Sequence, residues 1–475
     1  MNRTGIFLAV AGLLALVAVV AGVPRGGSMP TPVGPVVVTP PPVNTNTSNG
    51  SLSLSTRVSH PFVGLGASEV FVTADVTGVN LPQAQRAPVN LALVIDRSGS
   101  MSGFKLTQAK QAAQHLVAQL TPADRLSIVH YGSDVKAFNG LAGTPANKTV
   151  LLKYIEGIWD DGGTNIADGL TAGRDQLLAM KSDFKVNRLI LISDGQPTEG
   201  ITDASQLSQV VRDIRSTGIS VSSIGVGSDF NEELMEAFAE LGGGAYAYLQ
   251  DAAQLSNIFQ KDLNAATTQV ARGVTLTFRV PAGTQFEQLL GYKIAARSSM
   301  GNDEVISVSM PDFAAGQVER VVVQLRVTGN TSGQTIDVTQ TSLDYTDLLA
   351  SRAVTTETAL RAQVSDKAEV VLTNRDKDAM VFAARARAGV NTQNAVEALK
   401  QGDRGKAEQL MQQNAVFFEE AASSAGVGAV EGDQKEAAAL FDGMKAARDD
   451  AQINEYSKDA RKKARVNYGL MGSTY

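Results

Sequence analysis

The chain has 475 residues, a length that suggests about three domains at ~150 residues each, and its 43% hydrophobic and 19% charged content suits globular rather than disordered sequence. A net charge of -6 and only 5% aromatic residues exclude a general nucleic-acid binder, which needs a basic excess and stacking platforms. The absence of cysteine excludes disulfides, thiol nucleophiles, Fe–S clusters and zinc–thiolate sites, so with three scattered histidines any metal is an oxygen-held ion, Mg²⁺ first, then Mn²⁺ or Ca²⁺.

The chain opens with an uncharged apolar stretch, Gly5 to Val23, between Arg3 and Arg25. Two readings stand. Small residues Ala21-Gly22 suit a signal-peptide cleavage site, while the length suits a membrane anchor, which needs ~20 apolar residues. Residues 24–50, rich in Pro, Gly, Ser and Thr, read as an extended linker. Segments 1–23 and 24–50 together predict an exported body, periplasmic, at the cell surface or extracellular, either released or anchored through residues 5–23.

Residues 51–87 read as short strands, with Val70 to Val76 β-branched and aromatic in character. From Val89 the pattern changes. Val89 to Ile95 is an apolar run ending at Asp96, the signature of a strand buried on both faces. Leu106, Ala109, Ala113, Leu116 and Leu120 then recur at helical spacing. Strands follow at 125–131, 189–193, 219–226 and 245–249, and helices at 164–180, 203–216, 231–241 and 252–264. Strand and helix alternate, so residues 88–265 predict a mostly parallel sheet with helices on both faces.

Beyond that point the character flips. Residues 274–280, 305–310 and 318–327 alternate between Gly, Asn, Ser and Pro clusters, so 266–374 reads as a β-sandwich. The 51–87 strands are its natural partners, with the α/β domain inserted between them. The last part, 375–475, reads as helices 376–400, 404–423 and 434–463. Asn394 to Met411, turning at Gly402, looks like a helical hairpin similar to one tetratricopeptide-type unit, which must pack on the sandwich or on a partner. The stripe Lys458, Arg461, Lys462, Lys463, Arg465 reads first as a solvated helix face and second as a contact for an acidic surface. The fold class is therefore α/β: a Rossmann-like, doubly wound, mostly parallel sheet inserted in or flanked by a β-sandwich, followed by a helical region.

Three segments converge on one edge of that sheet. Asp96-Arg97-Ser98-Gly99-Ser100 follows the first strand, Asp194 follows another, and Thr164 lies just before a helix. Ligands of open parallel sheets bind outside the carboxyl ends of the strands. Two carboxylates and three hydroxyls there make a hard-ion set, and with so few carboxylates the ion keeps positive character and can accept a partner's carboxylate. Taken alone, D-x-S-x-S could instead turn and cap the following helix, and Thr164 could cap its own. Asp160 and Asp161 read as solvated loop acids or as outer contacts of the ion. Trp159, the single tryptophan, reads as core or interface packing, with an exposed ligand contact as the alternative.

Asp96, Ser98, Ser100, Thr164 and Asp194 together resemble the metal-ion-dependent adhesion site of von Willebrand factor type A domains. The stretches Ile224 to Asn231 and Gly244-Ala245-Tyr246 resemble that family's later strands. The likeness covers residues 88–265, and the flanking sandwich is similar to that of secreted bacterial members and of inter-alpha-trypsin inhibitor heavy chains. It implies Ser98, Ser100 and Thr164 as direct ligands of Mg²⁺, with Asp96 and Asp194 acting mainly through water. It implies a non-enzymatic adhesion or protein-binding module of the cell envelope, whose protein ligand offers an exposed Asp or Glu. Two alternatives stand: a scaffold or assembly subunit with a structural metal site, and a metal-assisted enzyme, for which no motif places a general base beside the ion. His130 sits mid-strand without a G-x-S-x-G elbow, and neither a Walker A loop nor a dinucleotide fingerprint is present, so no enzyme class gains support.

Overall fold

The computed structural model describes residues 44–81, 87–227, 230–249, 261 and 264–469. Residues 5–23, the predicted signal or anchor, lie outside them, as does nearly all of the predicted helix 252–264. No helix among the described residues is long and apolar enough to cross a membrane.

The chain begins with strands β1 (Asn44–Ser48), β2 (Leu52–Val58), β3 (Phe62–Val63) and β4 (Gly66–Gly78). Then come β5 (Val89–Asp96), α1 (Phe104–Gln119), β6 (Arg125–Tyr131), β7 (Val135–Ala142), α2 (Pro145–Glu156), α3 (Ile166–Leu178), β8 (Val186–Ser193), α4 (Ala204–Ser216), β9 (Ser220–Val226), α5 (Glu232–Gly242) and β10 (Gly243–Leu249). Strands β5 to β10 form one sheet in the order β10-β9-β8-β5-β6-β7. Its neighbours are parallel except β7, which returns antiparallel along β6. Strand β7 and helix α2 escape a reading by pattern. Strand β7 is an edge with no buried residue, so it carries no apolar run, and α2 buries only Leu151 and Ile155.

All eight residues of β5 are buried, as a central strand with helices on both faces requires. The two-residue period sorts them: Leu91, Leu93 and Ile95 pack with α1 and α2, while Ala92 and Val94 pack with α3, α4 and α5.

After this sheet come β11 (Gln269–Val280), β12 (Thr284–Leu290), β13 (Ala296–Met300), β14 (Asp303–Ser309), β15 (Phe313–Ala314), β16 (Val318–Gly329), β17 (Thr335–Asp347) and β18 (Arg352–Val364). They complete two facing sheets, β1-β2-β4-β16-β12 and β13-β14-β11-β17-β18-β3. Strand β4 lies antiparallel along β16 from Gly66↔Gly329 to Thr77↔Val318, so strands on either side of the α/β sheet in sequence pair with each other. Val72, Leu276, Val323 and Leu343 meet in the shared core.

The chain ends in α6 (Ala368–Thr373), α7 (Lys377–Lys400), α8 (Arg404–Ala425), α9 (Glu431–Ala446) and α10 (Asp450–Asn467). Helices α7 and α8 form the expected hairpin, with Gly402 at φ +81 in the turn. Alanines Ala383 and Ala386 let α7 sit against Phe71, Leu290 and Val322 of the sandwich. The predicted single helix 434–463 is instead two helices. Ala447 turns extended, and the Asp449 side chain accepts a hydrogen bond from the Gln452 N–H, capping a new helix. Arg404 donates to the Met444 and Ala447 carbonyls at 3.1 and 2.5 Å, satisfying the end of α9.

The basic stripe divides: Lys462 is exposed and Lys463 half-buried, as a solvated face requires, while the other three turn inward. Lys458, Arg461 and Arg465 are buried. They meet one face of α5, where Glu232, Glu236 and Glu240 recur every fourth residue. Arg461 pairs with Glu232 at 3.5 Å and with Glu397 of α7. Arg465 pairs with Glu240 at 2.8 Å and Glu236 at 3.7 Å. Lys458 donates to the Gly227 carbonyl at 3.2 Å. The acidic partner foreseen for this stripe is thus part of the same chain.

Candidate functional site

Strands β5 and β8 are hydrogen-bonded neighbours, with Ile95 opposite Ile192. Asp96 and Asp194 therefore emerge at the same sheet edge, both fully buried. Ser193 links the two loops: its hydroxyl donates to Asp96 Oδ2 at 2.6 Å and accepts from the Gly195 N–H at 2.8 Å. Tyr131, at the end of β6, donates to the same Oδ2 at 3.2 Å, and the Ser98 N–H donates to Asp96 Oδ1 at 2.9 Å. Burial pushes the Asp96 carboxyl up to about 6; the Ser193 and Ser98 hydrogen bonds pull it back, and the nearby Asp194 charge adds to the rise.

The Ser98 and Ser100 hydroxyls lie 3.1 Å apart, Ser98 buried and Ser100 exposed. The capping alternative does not hold for this loop. The residue preceding α1 is Gly103, at φ +70, and no side chain caps that helix. Thr164 does not cap α3 either; Asn165 does, accepting from the Asp168 N–H at 3.2 Å. Thr164 is buried, and its backbone fastens the third loop: its N–H donates to Thr198 Oγ1 at 2.9 Å, and its carbonyl accepts from the Thr198 and Glu199 N–H groups. Neither contact uses its hydroxyl.

Arg97, inside the D-x-S-x-S stretch, holds the loops together. Its side chain is only 2% exposed and pairs with Asp134 and with Asp161, whose carboxylate lies at 3.6 Å. The Asp161 N–H donates to the Arg97 carbonyl at 2.8 Å, and Gly99 N–H reaches the Gly162 carbonyl at 3.0 Å. Gly132 is required at this junction, because a Cβ there would lie 2.2 Å from the Asp161 carbonyl oxygen. Asp161 is solvated in its side chain, as foreseen, yet its backbone and carboxylate both anchor the loop. Trp159 is 66% exposed, which overturns the core-packing reading. His130 is buried within β6, and burial lowers its imidazole to about 4, with Arg97 and Lys136 adding to the fall, so it stays neutral.

The sheet edge thus brings Asp96, Ser98, Ser100, Thr164 and Asp194 onto three mutually hydrogen-bonded loops. Asp194 bears on whether the set suits a cation. Its Oδ1 is buried with no hydrogen-bond partner, and its Oδ2 faces Lys105 Nζ at 3.2 Å. A buried carboxylate with an unsatisfied oxygen is costly unless a cation or donor completes it. Among the described residues no group of three or more His, Cys, Asp or Glu side chains gathers to hold a metal, so the donor set here is mixed carboxylate and hydroxyl. Arg97, Ser193, Tyr131, Gly132 and Lys105 were not foreseen as builders of the site. Arg97 carries a signal by its place inside the motif, and Lys105 by standing as a cation in the first turn of α1.

Residues 90–261 match the family model described as von Willebrand factor type A domain. The chain is 28% identical over 247 residues to the uncharacterized protein YfbK of Escherichia coli K12, covering 50% of this chain and 42% of that protein. It is 31% identical over 186 residues to inter-alpha-trypsin inhibitor heavy chain H1 of Sus scrofa, covering 37% of this chain and 21% of that one. The matches span less than half the length of these relatives. The solved von Willebrand factor type A structure from Catenulispora acidiphila superposes with a TM-score of 0.65 at 15% identity, covering 88% of this chain and 98% of that one. The ArnB paralog VWA2 from Sulfolobus acidocaldarius gives 0.54 at 17% identity, covering 88% and 99%. At such identities the likeness concerns the fold, and at 88% coverage it reaches well beyond residues 90–261.

Proposed function

Taking residues 90–261 as a von Willebrand factor type A domain, we propose that the chain is a divalent-metal-dependent protein-binding module that takes Mg²⁺ at Asp96, Ser98, Ser100, Thr164 and Asp194. The observation that carries this reading is the convergence of two fully buried carboxylates, one with an unsatisfied oxygen, beside two paired serine hydroxyls at the C-terminal ends of adjacent parallel strands. When bound, the ion supplies a positive centre able to receive one carboxylate from outside. The chain's own residues orient and shield it: Ser193 and Tyr131 fix Asp96, and Arg97 ties the Asp161 loop to the Asp96 loop. The partner that fits is a protein presenting an exposed Asp or Glu, and the role is binding rather than catalysis. We place the module in the cell envelope, exported and held or released by the segment before residue 24.

The test is a calorimetric titration of the full chain with Mg²⁺ and Mn²⁺, beside Asp96→Ala. Saturable 1:1 binding that the variant lacks supports the reading. Equal binding by both proteins refutes the assignment of Asp96, and partner capture undiminished by EDTA refutes the metal dependence.

A further inference from the structure

Lys105 is an unusual residue for its place. It is the second residue of α1, where the helix dipole disfavours a cation, and the first turn of α1 holds no acidic residue to offset it. Its side chain is only 17% exposed, and its ammonium lies 3.2 Å from Oδ2 of the fully buried Asp194. A choice that breaks a local rule is a signal when a tertiary contact compensates it.

Resting on the metal reading above, we propose that Lys105 is a built-in counter-cation of the metal site, which lowers the affinity for the free ion and so couples metal binding to capture of an acidic ligand. The charge count carries the argument. Asp96, Asp194 and Lys105 sum to −1, while Arg97 is engaged by Asp134 and Asp161. A dication brings the set to +1, and a ligand carboxylate brings it to zero. Without the lysine, the dication would only balance the two carboxylates, and the set would attract a ligand carboxylate less strongly. Lys105 therefore weakens the binary metal complex and strengthens the ternary one. It is a positioning and charge-setting residue, not an ion ligand. It also pairs with Asp194 Oδ2 when no ion is present, so this carboxylate keeps a compensating charge while its Oδ1 stays open.

The test uses the full chain, Lys105→Gln and Lys105→Arg, with Mg²⁺ alone as the probe. Because removing a like charge this close strengthens cation binding, Lys105→Gln should take Mg²⁺ at least about tenfold more tightly than the parent. Lys105→Arg, which keeps the charge, should stay near the parent. A second readout needs no ion. In EDTA, Lys105→Gln should melt several degrees below the parent, and adding Asp194→Asn should recover most of that loss. Equal or weaker Mg²⁺ binding by Lys105→Gln overturns the proposal while leaving the metal reading intact. Absence of Mg²⁺ binding in parent and variant alike overturns both. If Lys105→Gln does not fold alone, the comparison moves to the Asp194→Asn background: tighter Mg²⁺ binding by Lys105→Gln/Asp194→Asn than by Asp194→Asn supports the proposal, and equal or weaker binding overturns it.

Discussion

Replacing Arg465 by Met should destabilise the chain strongly at pH 8 and less at pH 6. Arg465 is 6% exposed in its side chain and meets Glu240 at 2.8 Å and Glu236 at 3.7 Å. Methionine keeps most of the packing and removes the charge. Stripping one partner from a buried ion pair costs about 3–5 kcal/mol, because the other charge is left without compensation. Glu236 limits that cost. Burial raises its carboxyl to about 7; Arg465 and Arg461 pull it down, and Glu232 and Glu240 push it further up. Tyr246 and Tyr468 are close enough to feel the same charge, and both are held neutral by burial first. The sign follows from proton counting. Between the ordinary value of 4.5 and about 7 the folded chain holds a proton that the unfolded chain has released, so stability falls as pH rises through that window. At 1.36 kcal/mol per pKa unit the fall is about 3 kcal/mol. At pH 6 Glu236 is largely neutral, so the variant loses chiefly the Glu240 pair; at pH 8 it loses both. Thermal unfolding followed by circular dichroism should show a drop of roughly 6–20 °C at pH 8 and a clearly smaller one at pH 6. An equal loss at both pH values would refute the assignment of Glu236 as the titrating member.

Gly132→Ala should lose Mg²⁺ binding in calorimetry while costing only about 1–3 kcal/mol of stability, since its Cβ would displace the Asp161 backbone and with it the Thr164 loop. Asp449→Ala should cost about 1 kcal/mol in urea unfolding, by removing the α10 cap, and should spare metal binding. Leu276→Ala, at the fully buried centre of the sandwich, should cost about 2–5 kcal/mol; a cost below 1 kcal/mol would mean this core is not as packed as its burial implies. Trp159 should fluoresce as a water-exposed indole, readily quenched by iodide, and a shielded emission would contradict its 66% exposure.

Much of the α/β sheet was legible in sequence because a strand buried on both faces must be a continuous apolar run, and Val89 to Ile95 and Leu189 to Ile192 are such runs. Their ends at Asp96 and Asp194, with Thr164 before a helix, marked one sheet edge without any coordinates. Half-exposed elements were harder. Strand β7 has no buried residue, and the break at Ala447–Asp449 contains no Pro or Gly, only a cap that competes weakly with an Ala-rich helix pattern. Long-range pairing decided the rest. A row of lysines and arginines has the same spacing whether it faces water or glutamates, and only the docking of α10 onto α5 buries Lys458, Arg461 and Arg465 while leaving Lys462 exposed. Likewise the D-x-S-x-S spacing is local, whereas Arg97 meeting Asp134 and Asp161, and Lys105 meeting Asp194, join residues far apart in the chain. Periodicity records which residues leave water; it carries no record of which charge waits for them there.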